Sequence, residues 1–145
     1  MTPVRLALAL VLIGMGATVA RGQGQATDEG EAVSERLVNR IDTAFTDGDA
    51  QQLLTPAADR VEVSLFGTRT FYSSAQAFYV LDDFFERHPP TRFELGDVTR
   101  AGQSCFIRGQ FGHSRGERTL QVYVRLVRRE AAWHLQEVRI DADVE

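Results

Sequence analysis

Phe71–Pro90, FYSSAQAFYVLDDFFERHPP, is the stretch on which the fold turns. Ser73 has the short hydroxyl side chain of a helix N-cap, and Gln76 stands three residues on, where it completes a capping box. Tyr72 and Ala77 occupy the flanking staple positions. Pro89-Pro90 ends the helix, because a residue before proline is pushed out of the helical region. A helix over Ser74–His88 runs about 22 Å. At about 100° per residue, Ala77, Phe78, Leu81 and Phe85 share one face, with Phe84 and His88 at its edge. Gln76, Asp83, Glu86 and Arg87 lie opposite. Tyr79 and Asp82 fall on the flank, Asp82 about 40° from Phe78. Such a stripe needs an apolar surface to lie on.

The chain downstream supplies one. Arg92–Arg100, Ser104–His113, Thr119–Arg129 and Trp133–Asp141 read as strands separated by Ala101–Gln103, Ser114–Glu117 and Glu130–Ala132. Connections this short make an antiparallel meander. Leu120, Val122, Val124 and Leu126 form one face of the third strand; Gln121, Tyr123, Arg125 and Val127 form the other. In the last strand Trp133 and Leu135 have one parity, Val138 and Ile140 the opposite. A β-bulge near Gln136–Glu137 reconciles them and bends the sheet.

Upstream, Val61–Phe66 alternates as a strand, Gly67-Thr68 turns, and Arg69–Phe71 returns as a short arm. Before it, Asp28–Phe45 carries a helical stripe (Val33, Leu37, Val38, Ile41, Ala44, Phe45), with Asp28 and Glu31 spaced as a capping box. Asp47-Gly48-Asp49 stops it, and Asp49 and Gln52 open a shorter helix over Ala50–Leu54.

Two helices, a hairpin, a long helix and a meander make an α+β fold. The expected form is a cone-shaped roll, in which helices pack on a strongly curved, mostly antiparallel sheet and leave a cavity between helix and concave face. The chain has 145 residues, enough for one domain. Residues 1–26 carry Arg5, the apolar run Leu6–Ile13 and then small residues, the pattern of a signal peptide cleaved after Ala20 or Ala26. Its apolar span falls short of the ~20 residues that cross a bilayer. The expectation is an exported protein, periplasmic or secreted, with residues 27–145 as its single domain and no membrane span after processing. Every one of the 16 basic residues is Arg. Without Arg5 and Arg21, 14 of them stand against 20 acids, a charge of −6 that argues against a nucleic-acid partner.

AFTDGDAQQL (Ala44–Leu53), VEVSLFG…FYSSAQAFYVLDDFFERHP (Val61–Pro89) and LQVYVRLVRREAAWHLQEVRI (Leu120–Ile140) together resemble the nuclear transport factor 2-like superfamily, the cystatin-like roll. Within it, the chain resembles more closely a family of exported bacterial proteins with a domain of unknown function. The resemblance spans roughly Glu29–Asp143 and implies the fold and export. It fixes no activity: the superfamily includes ketosteroid isomerase and limonene-epoxide hydrolase, and also non-catalytic binding and dimerising modules.

Candidate lining for the cone is Phe78, Tyr79, Asp82, Phe106, Tyr123 and Trp133, although such aromatics also build ordinary cores. Acid–base chemistry needs a desolvated carboxylate beside a donor. Asp82, Tyr79, Asp97, Tyr123 and Glu137 are the groups from which that pair would come. His88, His113 and His134 sit on three elements without ligand spacing, and Cys105 reads as a buried structural thiol, so no metal or cofactor is expected. Arg125, Arg128, Arg129 and Arg139 could receive an anionic ligand or an acidic partner, but such residues more often pair across strands, here with Glu130 and Glu137. Three readings stand: a non-catalytic module binding a small apolar ligand or a protein partner, with a homodimer through the outer sheet face; a small acid–base isomerase or hydrolase; and a scaffold subunit of an envelope complex.

Overall fold

The computed structural model describes residues 24–116 and 118–143, with side chains from residue 35 onward. The leader expected over residues 1–26 lies outside them up to residue 23. The elements are α1 (Gly24–Asp47), α2 (Ala50–Leu54), β1 (Ala57–Leu65), β2 (Thr68–Ser73), α3 (Ser74–Arg87), β3 (Pro90–Ala101), β4 (Ser104–His113), β5 (Leu120–Arg129) and β6 (Ala132–Ala142). No described helix is long and apolar enough to cross a membrane.

Local chemistry sets the helix ends. Ser73 Oγ accepts from Gln76 N at 3.2 Å while Gln76 Oε1 accepts from Ser73 N at 3.1 Å, closing the box that starts α3. Asp49 Oδ1 accepts from Gln52 N at 3.0 Å and starts α2. The expected cap at Asp28 is corrected. Helix α1 already begins at Gly24, since Gly24–Thr27 contains no proline to stop it, and Asp28 lies inside.

The six strands form one curved sheet in the order β2-β1-β6-β5-β4-β3. All neighbours are antiparallel except β1 and β6. In the β5–β6 ladder Arg125 faces Glu137, but Leu126 faces Leu135, so Gln136 is the extra residue. This is the bulge that the parity change in the last strand requires, and it turns Trp133, Leu135, Val138 and Ile140 all inward. A second irregularity sits in β3, where Gly96 and Asp97 stand between the Leu95–Gly109 and Val98–Ile107 pairs.

Helix α1 lies against β3, β4 and β6, while α3 packs on α2, β1 and β2. The reason is the missing loop: β2 ends at Ser73 and α3 starts at Ser74, which keeps the helix beside its own hairpin. Wedged there, α3 buries Ala77, Leu81, Phe84 and Phe85. Phe78, expected at the centre of the stripe, is only half-buried, and Phe84 takes its place.

Around Phe45 the inside of the cone is filled. Phe45 of α1 stacks on Phe93 (4.9 Å, 21°) and meets Phe85 and Phe111 edge-on at 5.7 and 6.2 Å. Gly109 makes room for this, because a Cβ there would stand 2.5 Å from Phe93 Cζ. Phe45, Leu81, Phe111, Leu126, Leu135 and Ile140 are each 0% exposed, so no water-sized space touches them. The expected cavity between helix and concave face is therefore replaced, around these residues, by packed side chains, each stabilising the fold by about 1.5–3 kcal/mol.

Candidate functional site

The six candidate cone residues do not converge. Trp133 is buried in the core at 9% exposed, and Phe78 packs at the core's margin. Tyr79 is 72% exposed, its ring edge-on to Phe78 at 5.4 Å. Asp82 is half-buried on the flank of α3. Phe106 and Tyr123 do meet, with ring centroids 6.1 Å apart, but on the outer face of the sheet. They line the outside because the alternation that sends Ile107, Val122 and Val124 inward sends their neighbours outward.

The strand register arranges that outer face in rungs. One runs Glu62, Glu137, Arg125, Phe106, Thr99 from β1 to β3. The next runs Ser64, Arg139, Tyr123, Arg108, and reaches Asp97 at the β3 irregularity. A third carries Asp141, Gln121, Gln110 and Glu94.

Two acids lie side by side in the first rung and are nearly buried, Glu62 at 8% and Glu137 at 6% exposed. Acids are rarely so covered unless paired, and these are. Arg69 Nε is 2.7 Å from Glu62 Oε1. Glu137 Oε1 accepts from Arg139 Nη2 at 3.0 Å, and Oε2 forms an ion pair with Arg125 Nε at 3.4 Å without a hydrogen bond. The expected cross-strand pairing is thus present at Glu137.

Tyr123 occupies the middle of the second rung, and the Arg139 guanidinium lies over its ring at 5.3 Å. Burial holds its phenol above the ordinary 10.0, the Glu137 carboxylate adds to the rise, and Arg125, Arg139 and Arg108 oppose it. Two open hollows flank the ring. One, about 370 Å³, is lined by Asp97, Thr99, Phe106, Arg108 and Tyr123. The other, about 420 Å³, adds Gln121, Arg139 and Asp141. Arg108 borders both and makes no ion pair among the described residues.

Each Glu137 oxygen is held by a guanidinium, Asp97 is exposed, and neither faces a closed space. Among the described residues no group of three or more His, Cys, Asp or Glu side chains is placed to hold a metal. The Cys105 thiol is buried, and burial pushes its pKa up against a smaller opposing effect of Arg100. Residue-level reading missed Arg108, whose only signal was its place in the β4 alternation, and the meeting of His88 with His113.

A family model described as a domain of unknown function, DUF4783, matches residues 38–141. The chain belongs to the DUF4783 family. A crystal structure of a DUF4783 protein from Bacteroides ovatus is 23% identical and superposes with a TM-score of 0.69, over 73% of this chain and 94% of the other. One from Bacteroides uniformis is 20% identical, with a TM-score of 0.68 over 74% and 97%. An NTF2-like protein of unknown function from Silicibacter pomeroyi is 14% identical, with a TM-score of 0.58 over 81% and 98%. These likenesses carry the fold alone: the DUF4783 domain here is an NTF2-like α+β roll. No curated protein matches the sequence.

The electrostatics around Tyr123 are open to direct titration. Its phenol is expected to ionise above 10.0, and Glu137→Gln is expected to bring it down, since the carboxylate is removed and the arginines remain. Ring-carbon NMR shifts followed with pH read this. An unchanged Tyr123 titration in Glu137→Gln would contradict the assignment.

Proposed function

We propose that this DUF4783 domain is an exported, non-catalytic binding module whose working surface is the outer face of its sheet, and that the partner there is a second copy of the chain. The observation that supports this is the order of residues along the rungs. A two-fold axis parallel to the strands and midway between β4 and β5 lays each rung on its own reverse. Arg108 of one copy then falls on Tyr123 of the other, and Arg139 falls on Asp97. In the rung beside it Arg125 falls on Phe106, and in the third Gln121 falls on Gln110.

Each of these is a favourable meeting: cation on aromatic face, guanidinium with carboxylate, amide with amide. Only Asp141 and Glu94 meet with like charge, at the rim, where water screens them. Four strands at about 4.8 Å and ten residues at about 3.3 Å give a face on the order of 600 Å² in projection. Corrugation by side chains brings its accessible area toward the ~800 Å² per partner of a standard interface. A small apolar ligand or an acid–base site inside the cone finds no support around Phe45, Leu81, Phe111, Leu126, Leu135 and Ile140, which are fully buried.

Light scattering is expected to give twice the chain mass. Arg108→Asp is expected to weaken association at least about tenfold, about 1.4 kcal/mol, with the far-UV circular dichroism unchanged. A wild-type chain that stays monomeric at high concentration overturns self-association and points instead to a different protein partner, as in an envelope complex. Export rests on Arg5, the run Leu6–Ile13 and the small residues after it. N-terminal sequencing of the native protein is expected to start after Ala20 or Ala26, and a chain still beginning at Met1 would remove that part of the reading.

A further inference from the structure

Two histidines from separate elements meet at the end of α3. His88 follows the last turn of that helix, and His113 closes β4. Their ring centroids are 5.0 Å apart, edge to face. His88 lies flat on Phe84 at 4.6 Å, and its Nδ1 is 3.1 Å from Phe84 O. A carbonyl only accepts, so Nδ1 carries the proton of a neutral ring and the other nitrogen is left to bind the next one. His113 lies parallel to Phe111 at 6.3 Å, and its Nδ1 is buried without a hydrogen-bond partner. Gly116 backs the ring so closely that a Cβ there would come within 2.6 Å of Cε1.

Phe66 packs against the His88 side of the pair. Phe66, at the β1–β2 turn, is held at φ 51, a left-handed conformation that costs a side-chain-bearing residue roughly 1–2 kcal/mol. Its ring stands 5.7 Å from His88 and 6.4 Å from Phe84. Its N–H donates to Ile140 O at 2.9 Å, and the N–H of Gly67 donates to Asp141 Oδ1 at 3.1 Å. The contact therefore joins α3, the β1–β2 turn and β4.

Among the described residues His113 forms no ion pair. On α3, Arg87 is paired with Asp83 at 3.1 Å. On β6, Asp141 is engaged by Gly67, and on the connection after β4, Arg115 is exposed. Pro89 and Pro90 carry no charge. The charged neighbour that acts on His113 is His88, itself a base.

We propose that the His88–His113 contact is a pH-sensitive clasp, which when neutral fastens the end of α3 and the β1–β2 turn to β4, and in acid opens to uncover Phe84 and Phe111. His113 has its Nδ1 buried without a partner and the His88 ring 5.0 Å away, so a proton on it is resisted in the closed contact and accepted outside it. Burial first, and His88 second, hold its pKa below the ordinary 6.5. The sign follows. Above 6.5 His113 is neutral whether the clasp is closed or open. Below it the open form takes up a proton that the closed form resists, so closure weakens as pH falls. The proposal does not rest on self-association.

Histidine NMR titration of the full chain is expected to give His113 a midpoint below 6.5. A midpoint at or above 6.5 overturns the clasp. Fluorescence of an apolar dye is expected to rise several-fold between about pH 7 and about pH 5, with far-UV circular dichroism retained. His113→Phe keeps a ring against Phe111 and removes the proton site, and is expected to abolish the rise. His88→Gln, a second variant should the first not fold, is expected to raise the His113 midpoint and reduce the dye signal in acid. A dye signal that is absent in the wild type, or unchanged in either variant, overturns the proposal.

Discussion

One extra residue, Gln136, decides how the two faces of the sheet are populated. Side chains alternate with a period of two, so a regular β6 would point Trp133 and Leu135 one way and Val138 and Ile140 the other. Half of the strand's apolar surface would then face solvent. The inserted residue resets the parity, so all four side chains enter the core. The same step places Glu137 and Arg139 on the outside, opposite Arg125 and Tyr123. Core and outer rungs thus depend on a single local choice of backbone.

Filling the cone has a consequence for function. Where α1 and α3 bring Phe45, Phe84 and Phe85 onto Phe111, the concave side is committed to stability. The polar and aromatic groups that sequence alone would send into a pocket are distributed instead. Some reach solvent on α3, and others reach the outer sheet. There, Arg69 covers Glu62, and Arg125 and Arg139 cover Glu137 beside Tyr123. Basic and aromatic groups therefore line the middle of the sheet in a chain whose net charge is negative. The histidine contact at the end of α3 is a separate feature, built on the same aromatic cluster but sensitive to protons.

Much of this architecture was legible in the residues. Ser73 and Gln76 announce the start of α3, Pro89-Pro90 announces its end, and the parity change in β6 announces the bulge, because each is a local rule. The placement of α3 was not legible in the same way. Its buried arc turns toward Phe84 because β2 runs into it without a loop, and only the assembled hairpin shows that. The start of α1 at Gly24 was hidden by a plausible cap at Asp28. The outer rungs were half visible: alternation gives Tyr123 its face, but which strand partner lies beside it depends on register, and the turn at residues 114–119 does not reveal that. The meeting of His88 and His113 was invisible for the same reason. Twenty-four residues of chain separate them, and they meet because β3 and β4 form a hairpin whose register pairs Pro90 with His113.

On the function proposed above, the inner face is packed core and the outer face is where this domain engages a partner. An NMR dilution series on the intact domain tests both halves at once. The expected result is concentration-dependent shifts confined to Phe106, Arg108, Tyr123, Arg125 and their outer-face neighbours, with the methyls of Ile107, Leu126, Val138 and Ile140 unmoved. Shifts centred on those inner methyls, or on the exposed side of α3 around Tyr79, would contradict it.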